Sequence, residues 1–187
     1  YVFSCGKNMG VFKAVGYPED VGEFYRLEEY EGYAWTAHGR YPTHTPGWWG
    51  GAHPFSILDY SVVHNGEISS YDANRRFIEM YGYNCSLLTD TEVITYIIDF
   101  LVRRKGLTLE EAAGVIAAPF WSTIEQMPEA QRERLAYLRE TFASLLITGP
   151  FSILLGFTGG MMALNDRLKL RSMVCAEKGE AVYFASE

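Results

Sequence analysis

The sequence predicts an α+β layered domain. Three observations predict it. β-prone runs lie at the start, amphipathic helical patterns are gathered in the middle, and short strands return at the end. Helices grouped in this way pack together on sheets instead of alternating with strands as crossovers. The 187 residues suffice for one domain with a real core, or at most two small ones. A composition of 48% hydrophobic and 21% charged residues is that of a globular protein.

The elements follow in order. Residues 1–5 and 9–15 are β-prone runs joined by a Gly6-Lys7-Asn8 turn. Tyr17-Pro18-Glu19-Asp20 reads as a helix start, with proline fixing φ and acids at the positive end of the dipole. Val21, Phe24, Tyr25 and Leu27 give that helix an apolar face. Residues 33–38 read as another strand. Residues 42–54 form a loop, because Pro42, Pro46, Gly47, Gly50, Gly51 and Pro54 exclude a regular element. Trp48 and Trp49 within it imply packing over a pocket or in an interface. An apolar run over 57–63 then meets Asn65-Gly66, a strong turn pair, and Ser69 and Ser70 can cap a following helix. The line reads as strand, sharp turn, helix start.

Ala73, Phe77, Ile78 and Met80-Tyr81 make that helix, which ends at Gly82. Thr89 and Glu92 have the spacing of a capping box ahead of the stripe Val93, Ile94, Ile97, Ile98 and Leu101. Arg103, Arg104 and Lys105 complement the dipole at its end, and Gly106 stops it. Thr108-Leu109-Glu110-Glu111 starts a short helix. Residues 128–146 make a long one, with Leu135, Leu138, Phe142, Leu145 and Leu146 inward. Strands are expected over 151–157, 161–164, 172–176 and 181–185.

Charge and cysteines narrow the function classes. A net charge of −7 argues against nucleic acid as a partner. No apolar run reaches membrane-spanning length, so no membrane association is expected, and no signal peptide is expected either. The three cysteines, Cys5, Cys85 and Cys175, are far apart. They suggest reduced thiols in a cytoplasmic protein, with a single pair left open. The chain starts at Tyr1 and stops directly after a strand-like run, so it reads as a segment cut from a longer polypeptide.

The Asn65-Gly66 turn has a chemical reading. It would expose an amide side chain beside an unhindered backbone N–H, and two such donors can form an oxyanion hole. An ordinary turn is the plainer alternative.

Four blocks in order resemble the signatures of class II glutamine amidotransferases. They are His38-Gly39-Arg40-Tyr41-Pro42-Thr43-His44, His53-Pro54, His64-Asn65-Gly66-Glu67-Ile68 and Thr89-Asp90-Thr91-Glu92-Val93-Ile94. The stretch 165–171, with Asp166 and Arg171 in a D-x-x-x-x-R pattern, resembles the family's later strands. The Gly47 to Pro54 loop and Glu67-Ile68-Ser69-Ser70-Tyr71 look most like the amidotransferase part of glutamate synthases.

The resemblance implies an N-terminal-nucleophile hydrolase fold, a four-layer αββα sandwich, as one domain over residues 1–187. It implies hydrolysis of L-glutamine through a cysteine thioester, with the cysteine's own α-amino group as base. No cofactor is implied in this domain, and the ammonia would pass to a glutamate synthase-type domain or subunit. Asn65 and Gly66 would form the oxyanion hole. Arg40 would fork the α-carboxylate, and Asp90 at a helix N-terminus would accept from the α-ammonium. Tyr41, Thr43, His44 and His53 match positions near the pocket.

The sequence departs from the pattern at its start. Residue 1 is Tyr, so the nucleophile is expected upstream, and this segment alone is expected to be inactive. Cys5-Gly6 is rejected as the nucleophile, because Lys7-Asn8 reads as a turn where apolar strand residues should follow. Two rivals remain. One is a glutamine-binding or regulatory module without turnover. The other is a metal hydrolase using the four histidines, His38, His44, His53 and His64, although no metal-ligand spacing is present and no metal site is expected.

Overall fold

Alternation along the strands decides what lies on each side of the sheet. The computed structural model describes residues 8–42 and 47–186. Helix α1 (Pro18–Tyr25) precedes β1 (Phe55–Ile57) and β2 (Tyr60–Gly66). Helices α2 (Tyr71–Met80), α3 (Asp90–Asp99), α4 (Leu109–Ile116), α5 (Trp121–Ile124) and α6 (Glu129–Thr141) follow. Strands β3 (Phe151–Phe157) and β4 (Gly160–Asn165) then complete a four-stranded antiparallel sheet in the order β1-β2-β3-β4. A separate hairpin of β5 (Val174–Lys178) and β6 (Ala181–Ala185) ends the chain. The fold is α+β, as expected. Among the described residues no helix is long and apolar enough to cross a membrane.

Cross-strand partners share a face. Val62 opposite Leu155 and His64 opposite Ile153 therefore lie on one side, continued by Met162 and Leu164 of β4. That side meets Val93, Ile94, Ile97 and Ile98 of α3 in the core. Ser61, Val63, Asn65, Ser152 and Leu154 lie on the other side. Thr36 Oγ1 stands 3.0 Å from Ser61 Oγ, so the chain before Arg40 crosses that second face.

Helix α3 is buried on nearly every side because it is sandwiched between the sheet and α2, and it runs on into a wide π turn at Phe100–Arg104. Its last carboxylate, Asp99, is fully buried. Arg103 Nε and Nη2 donate to it at 2.6 and 2.7 Å, a bidentate pair that compensates the buried charge. The expected capping box at Thr89 is half present. Thr89 Oγ1 accepts from Glu92 N, but the Glu92 carboxylate turns away to accept from Ser86 N and Leu87 N. The box at Thr108 and Glu111 is complete.

Several expectations are corrected. Residues 9–15 and 33–38 form no ladder, because no neighbouring backbone pairs with them among the described residues. Residues 1–5 lie outside the described residues. The apolar face of α1 is not buried: Phe24 is 77% exposed. The helix expected over 128–146 ends at Thr141, and a 3-10 turn, Ala143–Leu145, carries Leu145 inward. Asn65 and Gly66 are not a turn. They end β2, paired with Ser152 and Phe151. Ser70 sits at the α2 N-cap, but its hydroxyl donates to Asn74 Oδ1 and accepts from Thr148 N instead of capping.

Gly66 is required there for two reasons. Its φ is +152°, and a Cβ would lie 2.1 Å from the Pro150 carbonyl oxygen. Gly66→Ala should lower stability by about 2 kcal/mol or more in urea denaturation. A loss under about 0.5 kcal/mol, the range of ordinary surface changes, would contradict this close approach.

Candidate active site

The N-terminus of α3 abuts the end of β2, and polar side chains from three distant stretches meet there. Thr91 Oγ1 lies 3.0 Å from His53 Nε2, 3.4 Å from His64 Nδ1 and 3.3 Å from Asp90 Oδ1. Asp90 Oδ1 also accepts from Thr91 N at 2.8 Å, and Oδ2 accepts from Ile68 N at 3.4 Å. His64 Nδ1 stands 3.6 Å from Asp90 Oδ1.

Donor counting assigns the protons. A carboxylate only accepts, and a hydroxyl has one proton to give. Thr91 therefore donates to Asp90, and its lone pairs take N–H groups from His53 Nε2 and His64 Nδ1. Each imidazole is left with a bare nitrogen, His53 Nδ1 and His64 Nε2, and both are buried without a hydrogen-bond partner.

The electrostatics agree. Burial pushes His53 down to about 2, helped by His38, His64 and Arg40, while Asp90 pulls the other way. His53 is thus neutral. Burial, the largest influence on Asp90, raises its carboxyl. The His64 side chain and the Ile68 and Thr91 N–H groups outweigh it and hold Asp90 below the usual carboxylate range. The His38 ring meets His53 edge to face, centroids 4.4 Å apart. Behind the loop, Lys13 Nζ donates to Gly50 O at 3.3 Å, and burial lowers it to about 8 against the pull of Glu92.

The tryptophan loop is shaped by close approach. The Trp48 indole folds over Gly50, where a Cβ would stand 2.4 Å from the ring. The half-buried Arg40 lies against Gly51, its Nη1 2.8 Å from where a Cβ would be. On the second face of the sheet, a cleft of about 320 Å³ is lined by His38, Gly39, Asn65, Ser152 and Phe184. Asn65 Nδ2 donates to Ser186 Oγ at 2.8 Å across it.

The sequence-predicted residues divide accordingly. His53 and Asp90 meet at the junction, with Arg40 near enough to act on His53. Asn65 lines the cleft, and Gly66 ends the same strand. Tyr41 is 88% exposed and is not on the cleft lining. Thr43 and His44 lie outside the described residues. Asp166 serves its own loop, accepting from the N–H groups of Phe151, Leu168, Leu170 and Arg171. Thr91 was not singled out by sequence reasoning, nor were the roles of His38 and His64. Only the position of Thr91 in the first turn of α3 hinted at it, since both its histidine partners are remote in sequence. Among the described residues no group of three or more His, Cys, Asp or Glu side chains is arranged to hold a metal.

Residues 1–91 match the family model described as glutamine amidotransferases class-II. Residues 1–91 of the chain, which hold the motif blocks, belong to that family. An uncharacterized protein of Archaeoglobus fulgidus is 53% identical over all of this chain and half of its own length. A putative glutamine amidotransferase of Methanothermobacter thermautotrophicus is 33% identical over 73% of the chain and 36% of its own length. A glutamine--fructose-6-phosphate aminotransferase of Sulfurisphaera tokodaii is 38% identical over 49% of the chain and 16% of its own length. This amidotransferase chain thus spans half or less of the curated relatives it matches. The matched residues carry the motif positions Arg40, His53, Asn65, Gly66 and Asp90.

The neutral His53 has a measurable consequence. Below about pH 6.5 the unfolded amidotransferase chain takes up a proton that the folded chain refuses until about pH 2, so stability falls as pH falls through that window. The contribution approaches about 1.4 kcal/mol per pH unit. His53→Gln should flatten the pH dependence of urea denaturation between pH 6 and 4. An unchanged slope would show that His53 takes up its proton in the fold.

Proposed function

We propose that this protein hydrolyses glutamine to glutamate and ammonia. A cysteine thiolate attacks the side-chain carbonyl carbon, the C–N bond breaks as the leaving nitrogen takes a proton, and water then cleaves the thioester. The observation that carries this reading is an ionised Asp90 at a helix N-terminus, held against the strand whose end is Asn65-Gly66. Free glutamine is a zwitterion, so its pocket needs one fixed anion and one cation. In this reading Asp90 accepts from the α-ammonium, and the Arg40 guanidinium forks the α-carboxylate. His53, held by Thr91 beside Asp90, completes the surroundings. The Asn65 amide and the Gly66 N–H stabilise the oxyanion as charge develops.

The nucleophile in this reading is none of the three cysteines in the sequence. Cys85 is buried, and burial and the Glu92 charge raise its thiol to about 11, so it supplies no thiolate near neutrality. Cys175 is exposed on β5 and, as an internal residue, has no free α-amino group to act as its base. The attacking cysteine belongs to another part of the whole protein, with its α-amino group as base, and the 187-residue chain alone does not turn over. The ammonia passes to a glutamate synthase-type domain or subunit in the cytoplasm, and this half of the reaction uses no cofactor.

The whole protein that carries this chain should release ammonia from glutamine. Oxyanion donors act mainly in the transition state, so Asn65→Ala should lower kcat by roughly a hundredfold with KM much less affected. Arg40→Lys keeps the charge but loses the fork, so it should instead raise KM by about tenfold or more. Thermal melting checks that both variants fold. Glutamine binding without ammonia release from the whole protein would replace hydrolysis with a binding role.

A further inference from the structure

Two arginines outside the candidate active site stand on adjacent aromatic rings. Arg139 Cζ lies 4.3 Å from the Trp121 ring centroid, and Arg167 Cζ lies 4.7 Å from that of Phe120. Both rings are 42% exposed. The Arg139 guanidinium is also anchored, with Nη1 donating to the Pro119 carbonyl. Stacking and one hydrogen bond fix its plane and leave other N–H groups unengaged.

Neither arginine is paired with a carboxylate among the described residues. Among the described residues, Arg26, Arg75, Arg103 and Arg134 each pair with an acid, and no such pair includes Arg139 or Arg167. Burial and the neighbouring Arg167 charge both push the Arg139 guanidinium down, with no acid opposing them. In a chain of net charge −7, these two neighbouring cations form a local positive patch, with Glu140 beside them. Beside them a groove of about 320 Å³ opens, lined by Val115, Ala118, Trp121 and Phe142 together with Arg139 and Glu140. Its volume is at the small end of ligand pockets.

We propose that this groove is a second ligand site, for a small organic anion whose apolar body lies against Val115, Ala118 and Phe142. Its carboxylate or phosphate meets Arg139 and Arg167. The Trp121 ring covers the apolar body beside the guanidinium, so one aromatic serves both halves of the ligand. Glu140 shares the lining and opposes an anion. Two cations against one acid leave the site net positive, and the Glu140 charge limits its affinity. This site is independent of the glutamine reading.

The test uses the isotope-labelled 187-residue chain in NMR titrations. The probes are phenyl phosphate and phenylacetate, with inorganic phosphate and benzyl alcohol as the charge-only and body-only controls. At least one aromatic anion should give saturable shifts at the Trp121 indole N–H and at Ala118, with a dissociation constant of about 1 mM or below. The tighter of the two identifies the head group. Both controls should bind at least about tenfold more weakly.

Arg167→Gln, which gives up only the Phe120 stacking, should weaken binding about fivefold, the scale of one exposed charge contact. Arg139→Gln should weaken it at least as much, and Glu140→Gln should tighten it. Shifts that do not saturate, that map away from Trp121, or that are equal in Arg167→Gln and the parent would overturn the proposal.

Discussion

The Thr91 hydroxyl joins the loop bearing His53, the strand bearing His64 and Asp90 in the first turn of α3. Its single proton goes to Asp90, which can only accept, and this forces both imidazoles to turn an N–H towards it. The consequences spread outward. His53 is held neutral, Asp90 stays ionised, and α3 is fixed against the sheet on which its apolar residues pack. A buried polar cluster of this kind is costly unless its members satisfy one another. Two bare imidazole nitrogens remain, so the cluster keeps acceptor capacity.

Strand β2 serves two surfaces because its side chains alternate. His64 faces the helices and joins the Thr91 cluster, whereas Asn65, the next residue, faces the cleft and reaches Ser186. A slip of one residue in register would exchange them and bury Asn65 in the core. The pairing with β3 and the close fit of Gly66 over the Pro150 carbonyl hold that register. The glycine of the Asn-Gly pair is therefore there for its missing Cβ, at the end of a strand.

Local signals were legible and long-range ones were not. The start of α3 at Thr89, the complete box at Thr108 and the strands after Gly149 follow from caps, stripes and turn residues, all of which act within a few positions. Residues 9–15 and 33–38 have strand composition, but a strand needs a backbone partner, and composition does not name one. Asn65-Gly66 carried a turn signal that tertiary pairing overrode. Arg40, His53, Asn65 and Asp90 were legible only as ordered motifs. Thr91 remained hidden, because its importance lies in contacts with His53 and His64, and no periodicity links those positions.

The account rests most directly on the Thr91 hydroxyl, and a comparison of Thr91→Val with Thr91→Ser in urea denaturation isolates it. Valine matches threonine in shape, so it removes the hydroxyl without opening a cavity at a site only 1% exposed. Loss of the hydroxyl would leave two imidazole N–H groups unpaired, each at a cost of about 1–3 kcal/mol. The account predicts that Thr91→Val loses about 2 kcal/mol or more, and that Thr91→Ser, which keeps the hydroxyl, loses less than about half as much. Equal stability of Thr91→Val and the parent would contradict it.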